Sequence, residues 1–294
     1  MPTTMSGNVS IHYETFGQAG NPALLLVNGL GSQLINYEPA FCNLFVDQGY
    51  QVLVYDNRDV GLSSKTEAPL PDVGAIMAKF RKSEPVEDVV YTLADMAADG
   101  MAVLDAVGVQ AAHVAGMSMG GMIVQRMALD YPDRVLSMTS IMSTTGRPGV
   151  GGATPEATEV LFAVPPPGRD GFIEDAVESH RVIDGSYHSA DYWRAHAGKI
   201  YDRNFHPAGP AFQIVAIASD GDRTEELATI KVPTLVIHGR LDPLIHLSGG
   251  EATAAAIPDA ELLVIDEMGH DLPPEIWDEV SSAMMALAAK AAGT

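Results

Sequence analysis

One cysteine, few cations and no long apolar run bound this 294-residue chain before any motif is read. With Cys42 alone, no internal disulfide can form. In an apolar, helix-patterned stretch, that cysteine reads as a small buried hydrophobe and not as a reactive thiol. Lysine and arginine total 17 against 38 acidic residues, a formal charge of −21. Nucleic acids and anionic membrane surfaces both require a basic patch, so neither is expected as a partner. The one local cluster of cations, Lys79, Arg81 and Lys82, reads as a solvated helix face. No apolar stretch approaches the roughly 18 residues of a membrane span. The polar residues 1–10 lack the basic-then-apolar pattern of a signal peptide. No HExxH, no paired cysteines and no Gly-Lys-Ser/Thr phosphate loop occur, so neither a metal nor a cofactor is expected. These absences together describe a cytoplasmic protein acting on a small molecule, as a monomer or a homodimer.

What is present is ample core material: 47% hydrophobic residues with 19% charged. The length suits a single α/β domain that carries an insertion. Alternation at 9–13 predicts a first edge strand. A short continuous apolar run at 23–27 reads as a buried parallel strand and 51–55 as another, and 135–142, 234–238 and 261–265 supply further strands. Between them, Leu93, Met96, Ala97, Gly100, Met101 and Leu104 follow helical spacing, with Gly108 ending that helix. Strands alternating with helices imply a mostly parallel sheet covered on both faces. Two stretches break the rhythm. Residues 63–85, rich in proline and charge, read as an insertion over the carboxyl edge of the sheet. Residues 143–223 contain glycine-rich and triple-proline segments and helix-like pieces such as 172–180. About eighty residues are too many for a structureless loop, so this stretch is expected to form a mainly helical cap. The core would then comprise 1–142 and 224–294.

The chemistry gathers around Gly116-Met117-Ser118-Met119-Gly120. An apolar strand, 111–115, leads in and a helical pattern, 122–129, leads out. A serine at the apex of a sharp strand–helix turn, with small residues two positions to either side, is a nucleophile elbow. Alone, such a serine could equally be a helix cap. A serine hydroxyl needs a base, and the base needs an orienting carboxylate. The expected chain order is serine, acid, histidine, the latter two after late strands. Asp242 follows the 234–238 strand and His270 follows the 261–265 strand. The alternative acid position after 135–142 offers only Ser143, Thr144 and Thr145. His238, at a strand end, and His246, four residues past Asp242, reach round the acid to the serine less naturally than His270. Two backbone donors would hold the oxyanion, from Met119 after the nucleophile and from Leu30 in the turn Val27-Asn28-Gly29-Leu30-Gly31. Met117, Asn28 and the cap aromatics Phe162, Trp193 and Phe212 are candidates for contacting substrate.

These residues resemble the α/β-hydrolase superfamily, in particular its capped, serine esterase-like members. Asp56-Asn57-Arg58-Asp59-Val60-Gly61-Leu62-Ser63 is similar to the loop after the fourth strand in that superfamily, where it is structural. The elbow Gly-Met-Ser-Met-Gly-Gly-Met is similar to that of the branch containing aclacinomycin methylesterase-type hydrolases. The resemblance implies an eight-stranded, mostly parallel sheet flanked by helices, with the cap inserted after the sixth strand. It also implies a carboxylesterase working through an acyl-enzyme on small to medium apolar esters. Asn28 stands where many relatives have histidine, a change that leaves the backbone donor at Leu30 in place. The same triad serves carbon–carbon bond hydrolases and cofactor-free perhydrolases, and the fold also serves as a ligand receptor. An aspartate at the elbow would signal dehalogenase or epoxide hydrolase chemistry; here the residue is Ser118.

Overall fold

The computed structural model describes residues 1–87, 89–163 and 165–293. Its strands are β1 (Thr3–Ser6), β2 (Val9–Phe16), β3 (Ala23–Val27), β4 (Gln51–Tyr55), β5 (Ala112–Met117), β6 (Val135–Ile141), β7 (Thr234–Gly239) and β8 (Glu261–Ile265). They form one eight-stranded sheet in the order β1-β2-β4-β3-β5-β6-β7-β8. The β1–β2 and β2–β4 pairs are antiparallel, and every later pair is parallel. The helices are α1 (Pro39–Val46), α2 (Val73–Arg81), α3 (Leu93–Ala106), α4 (Met119–Asp130), α5 (Pro155–Leu161), α6 (Arg169–Ile183), α7 (Ala190–Arg203), α8 (Gly209–Asp220), α9 (Thr224–Leu227), α10 (Ser248–Ala256) and α11 (Trp277–Ala292).

Successive strand residues point to opposite faces, and both faces are apolar. Leu24 and Leu26 pack with Phe41 and Phe45 of α1 and Val280 and Met284 of α11. Leu25 and Val27 pack with Leu93 and Met96 of α3 and Ile123 and Met127 of α4. The continuous apolar run of β3 follows directly from this two-sided burial, whereas β8, at the edge of the sheet, leaves Leu262 exposed. Cys42 is buried on α1, and burial pushes its thiol up to about 12, which keeps it protonated and inert.

The edge of the sheet differs from expectation. The 9–13 alternation belongs to β2, and β1 lies outside it as the true edge strand. Its four residues, Thr3-Thr4-Met5-Ser6, are too short and too polar to show an alternating pattern. Segment 63–85 contains α2, which packs against α8. Between β6 and β7 the chain leaves the sheet to form α5, α6, α7 and α8 before α9 leads it back. That helical insertion lies over the carboxyl ends of β3, β5, β6, β7 and β8. Parallel register brings those ends together, with Val27 beside Gly116, Met117 beside Ile141, and Ile141 beside Ile237. Among the described residues no helix is long and apolar enough to cross a membrane.

Candidate active site

Ser118 sits between β5 and α4 at φ 55°, ψ −119°, a left-handed conformation that L side chains rarely adopt. Such strain persists only where the surroundings over-determine it. Here the Ser118 amide donates to the Ile141 carbonyl at 2.9 Å, and its own carbonyl accepts from Gly121 and Met122. Strand and helix close on each other to a degree that only glycine permits. A Cβ on Gly116 would lie 2.0 Å from the Gly120 carbonyl oxygen, and one on Gly120 would lie 2.1 Å from that of Val27. The serine is thereby raised to the start of α4, where free N–H groups and the helix dipole favour negative charge. The Met119 amide is at the first position of that helix and has no intrahelical acceptor.

Asp242 follows β7 and is buried. Its Oδ1 accepts from the Leu244 and Ile245 amides at 2.9 and 2.8 Å, which fixes the carboxylate plane. Its Oδ2 lies 2.8 Å from His270 Nδ1. A carboxylate only accepts, so this contact places the proton on Nδ1 and leaves Nε2 as the basic nitrogen. Ser118 and His270 both line one cavity. His238 is fully buried behind Asp242, with Nε2 donating to the Ile245 carbonyl at 2.7 Å. Burial holds its pKa below the ordinary imidazole value, so it stays neutral and supports the 242–245 turn.

On the opposite side, Leu30 lines the same cavity and Asn28 does not. Asn28 is fully buried; its carbonyl accepts from Asn57 Nδ2 at 3.0 Å and its side-chain amide has no partner among the described residues. The turn is anchored by a residue the sequence reading did not single out. Gln213 of α8 accepts from the Gly31 amide through Oε1 and donates to the Arg58 carbonyl through Nε2, both at 2.8 Å. Its signal was present as a lone polar side chain in the apolar run Phe212-Gln213-Ile214-Val215-Ala216. The Asp56 loop contributes as well. Asp56 accepts from the Leu34 and Leu62 amides at 2.7 and 2.8 Å, and Arg58 pairs with Asp99 through two 2.7 Å bonds.

The cavity has a volume of about 970 Å³, at the upper end of ordinary ligand pockets. Met117, Met119, Phe162 and Trp193 line it. Phe212 does not: it is 5% exposed and packs into the core beside α3 and α4. The cause is helical phase. Pro210, Ile214 and Ile217 carry the cavity-facing stripe of α8, and position 212 falls on the reverse side. The cations of the chain sort similarly. Among the described residues, every arginine except Arg81 and Arg147 is ion-paired to a carboxylate, and those two line the cavity.

With this geometry in view, comparison with known proteins is decisive for the family. The family model of the α/β-hydrolase fold matches residues 22–275. The chain belongs to that family. Its resemblance to the methylesterase-type branch also holds: a rhodomycin D methylesterase of Streptomyces peucetius is 28% identical, over 97% of this chain and 98% of the relative. A 3-oxoadipate enol-lactonase of Acinetobacter baylyi is 26% identical over 96% of both chains. Among solved structures, a 2-hydroxy-6-oxo-6-phenylhexa-2,4-dienoate hydrolase from Rhodococcus superposes with a TM-score of 0.75. It covers 97% of this chain and 96% of that one at 20% identity, a likeness of fold. Hydrolysis is the activity these relatives share.

Proposed function

We propose that this hydrolase is a carboxylesterase that works through a covalent acyl-enzyme on Ser118. One observation carries the reading: a strained, cavity-facing serine shares that cavity with a histidine whose Nδ1 is 2.8 Å from a buried carboxylate. His270 Nε2 takes the hydroxyl proton as Ser118 Oγ attacks the ester carbonyl. Asp242 holds the imidazole tautomer and stabilises the imidazolium. The Met119 and Leu30 amides receive the oxyanion. His270 then protonates the departing alcohol, and the same nitrogen activates the water that frees the acid.

The cavity volume extends the expected substrate beyond small esters to one with a bulky apolar body. Arg81 and Arg147, which line the cavity and have no carboxylate partner among the described residues, suit an acidic group remote from the scissile bond. Two relatives support ester cleavage, one being a methylesterase and the other an enol-lactonase. Initial rates on p-nitrophenyl esters from acetyl to decanoyl, with Ser118→Ala as control, test the proposal. Turnover that disappears in the variant supports it. Folded protein with no Ser118-dependent turnover on any ester contradicts it and turns attention to carbon–carbon bond hydrolysis.

A further inference from the structure

The loop that carries His270 is fastened to the helical insertion as well as to the sheet. The turn between α6 and α7 lies against it as an interlocked pair of backbone segments. The His270 amide donates to the Ile183 carbonyl at 2.8 Å, and the Ser186 amide donates to the Glu267 carbonyl at 2.9 Å. Ser186 Oγ also meets the Glu267 carboxylate. Asp271 ties the two segments together, its Oδ1 accepting from Gly185 at 3.2 Å and from Gly269 at 3.1 Å. The fit is mutual. A Cβ on Gly185 would lie 2.2 Å from the Glu267 carbonyl oxygen, and one on Gly269 would lie 2.3 Å from the Gly185 nitrogen.

Beside this seam, Asp184 gathers donors from the insertion: His180 Nδ1 at 2.8 Å, His188 Nδ1 at 3.0 Å and the Trp193 indole N–H. His180, Asp184 and Trp193 also line the cavity. A ligand lying against that wall therefore touches the residues that fix the turn. We propose that residues 183–186 of the insertion, with Asp271 as a positioning residue, form the outer half of the mount for His270. The insertion then takes part in holding the triad histidine in place. The inference rests on the triad reading given above.

The charge pattern supports a role beyond a simple staple. Asp271 is 8% exposed, and burial followed by the charge of Asp184 pushes its carboxyl up to about 6. The Gly185 and Gly269 amides and His270 oppose that rise. The charged and titratable groups around it are Asp184 with its partners His180 and His188 from the insertion, and Glu267 and His270 from its own loop. A buried carboxylate facing another is a costly choice, and such choices gather at functional sites.

The test is the rate at which a fluorophosphonate labels Ser118, read beside kcat and KM on p-nitrophenyl butyrate. In labelling, the serine O–P bond forms, the P–F bond breaks, fluoride leaves and His270 takes the proton, so no natural substrate need be known. Gly185→Ala and Asp271→Ala, folded by circular dichroism, are expected to label about tenfold or more slowly and to lose kcat in proportion. KM should change less than about threefold. Asp271→Asn keeps an oxygen acceptor and is expected to recover most of the rate lost in Asp271→Ala. If Gly185→Ala does not fold, the two Asp271 variants decide. Labelling within about twofold of wild type in either folded Ala variant overturns the proposal. Equal losses in Asp271→Asn and Asp271→Ala overturn the acceptor role. Wild-type enzyme that labels at Ser118 but turns over no ester defeats the carboxylesterase reading and leaves this one testable. Absence of labelling at Ser118 defeats both.

Discussion

The floor and the roof of the cavity are built on different principles. On the floor, Ser118 is held by backbone bonds to Ile141 of β6 and to the first turn of α4, and Asp242 by the amides two and three residues beyond it. The roof comes from α5 to α8, is rich in aromatic rings and carries side chains that remain partly open to solvent, Phe162 at 36% exposure among them. Chemistry needs a geometry fixed to fractions of an ångström, which only close-packed backbone supplies. Recognition of an apolar body needs area and adaptability, which methionines and aromatic side chains supply. His270 belongs to both regions, bonded to Asp242 below and to the Ile183 carbonyl above.

Substitutions on the floor should cost most. Asp242→Asn keeps the shape but removes the charge that selects the His270 tautomer, and a loss in kcat of about 10³–10⁴-fold is expected. Steady-state rates in the folded variant measure it. Next comes Gly120→Ala, whose Cβ would sit 2.1 Å from the backbone oxygen of Val27, with no flexible side chain to yield. A loss of about 3 kcal/mol or more, or failure to fold, is expected in urea titration.

The seam between floor and roof should respond with the opposite sign. The Asp271 carboxyl titrates at about 6 in the folded chain against an ordinary 3.8, so the folded state holds its proton more tightly. Its contribution favours folding below pH 3.8 and is lost as pH rises through 6. Asp271→Asn should therefore raise stability above pH 6 by about 1–3 kcal/mol and leave it unchanged in acid, as thermal melts across pH would reveal. The smallest effect belongs to the roof. Phe162→Ala should raise KM for decanoyl esters about three- to tenfold while leaving acetyl esters and kcat nearly as they were. A large kcat effect there would erase the distinction between the two regions.

The same division governs what could be read from sequence. The elbow was legible because its glycines, serine and flanking strand and helix are contiguous, and strain at Ser118 is a local requirement. The succession of strands along the chain was legible because two-sided burial writes continuous apolar runs at the centre of the sheet, as in β3 and β4. Strand β1 was not, since four polar-leaning residues write no pattern. Gln213 stands out locally as a polar side chain in an apolar run, but the amides that it and Asp271 bind, at Gly31 and Gly185, lie far along the chain and nothing local names those partners. Phe212 is a candidate for contacting substrate on its residue type alone, and the phase of α8 turns it into the core. Asn28 lies one position from Gly29 yet points away from the cavity lining, a difference set by turn geometry.

The most direct test of the central claim is a rapid-quench mass measurement with a slowly deacylating p-nitrophenyl ester. One acyl group is expected on the enzyme during the burst, located by peptide mapping on the segment containing Ser118 and absent from Ser118→Ala. Turnover with no acyl adduct, or an adduct that persists in Ser118→Ala, would contradict it.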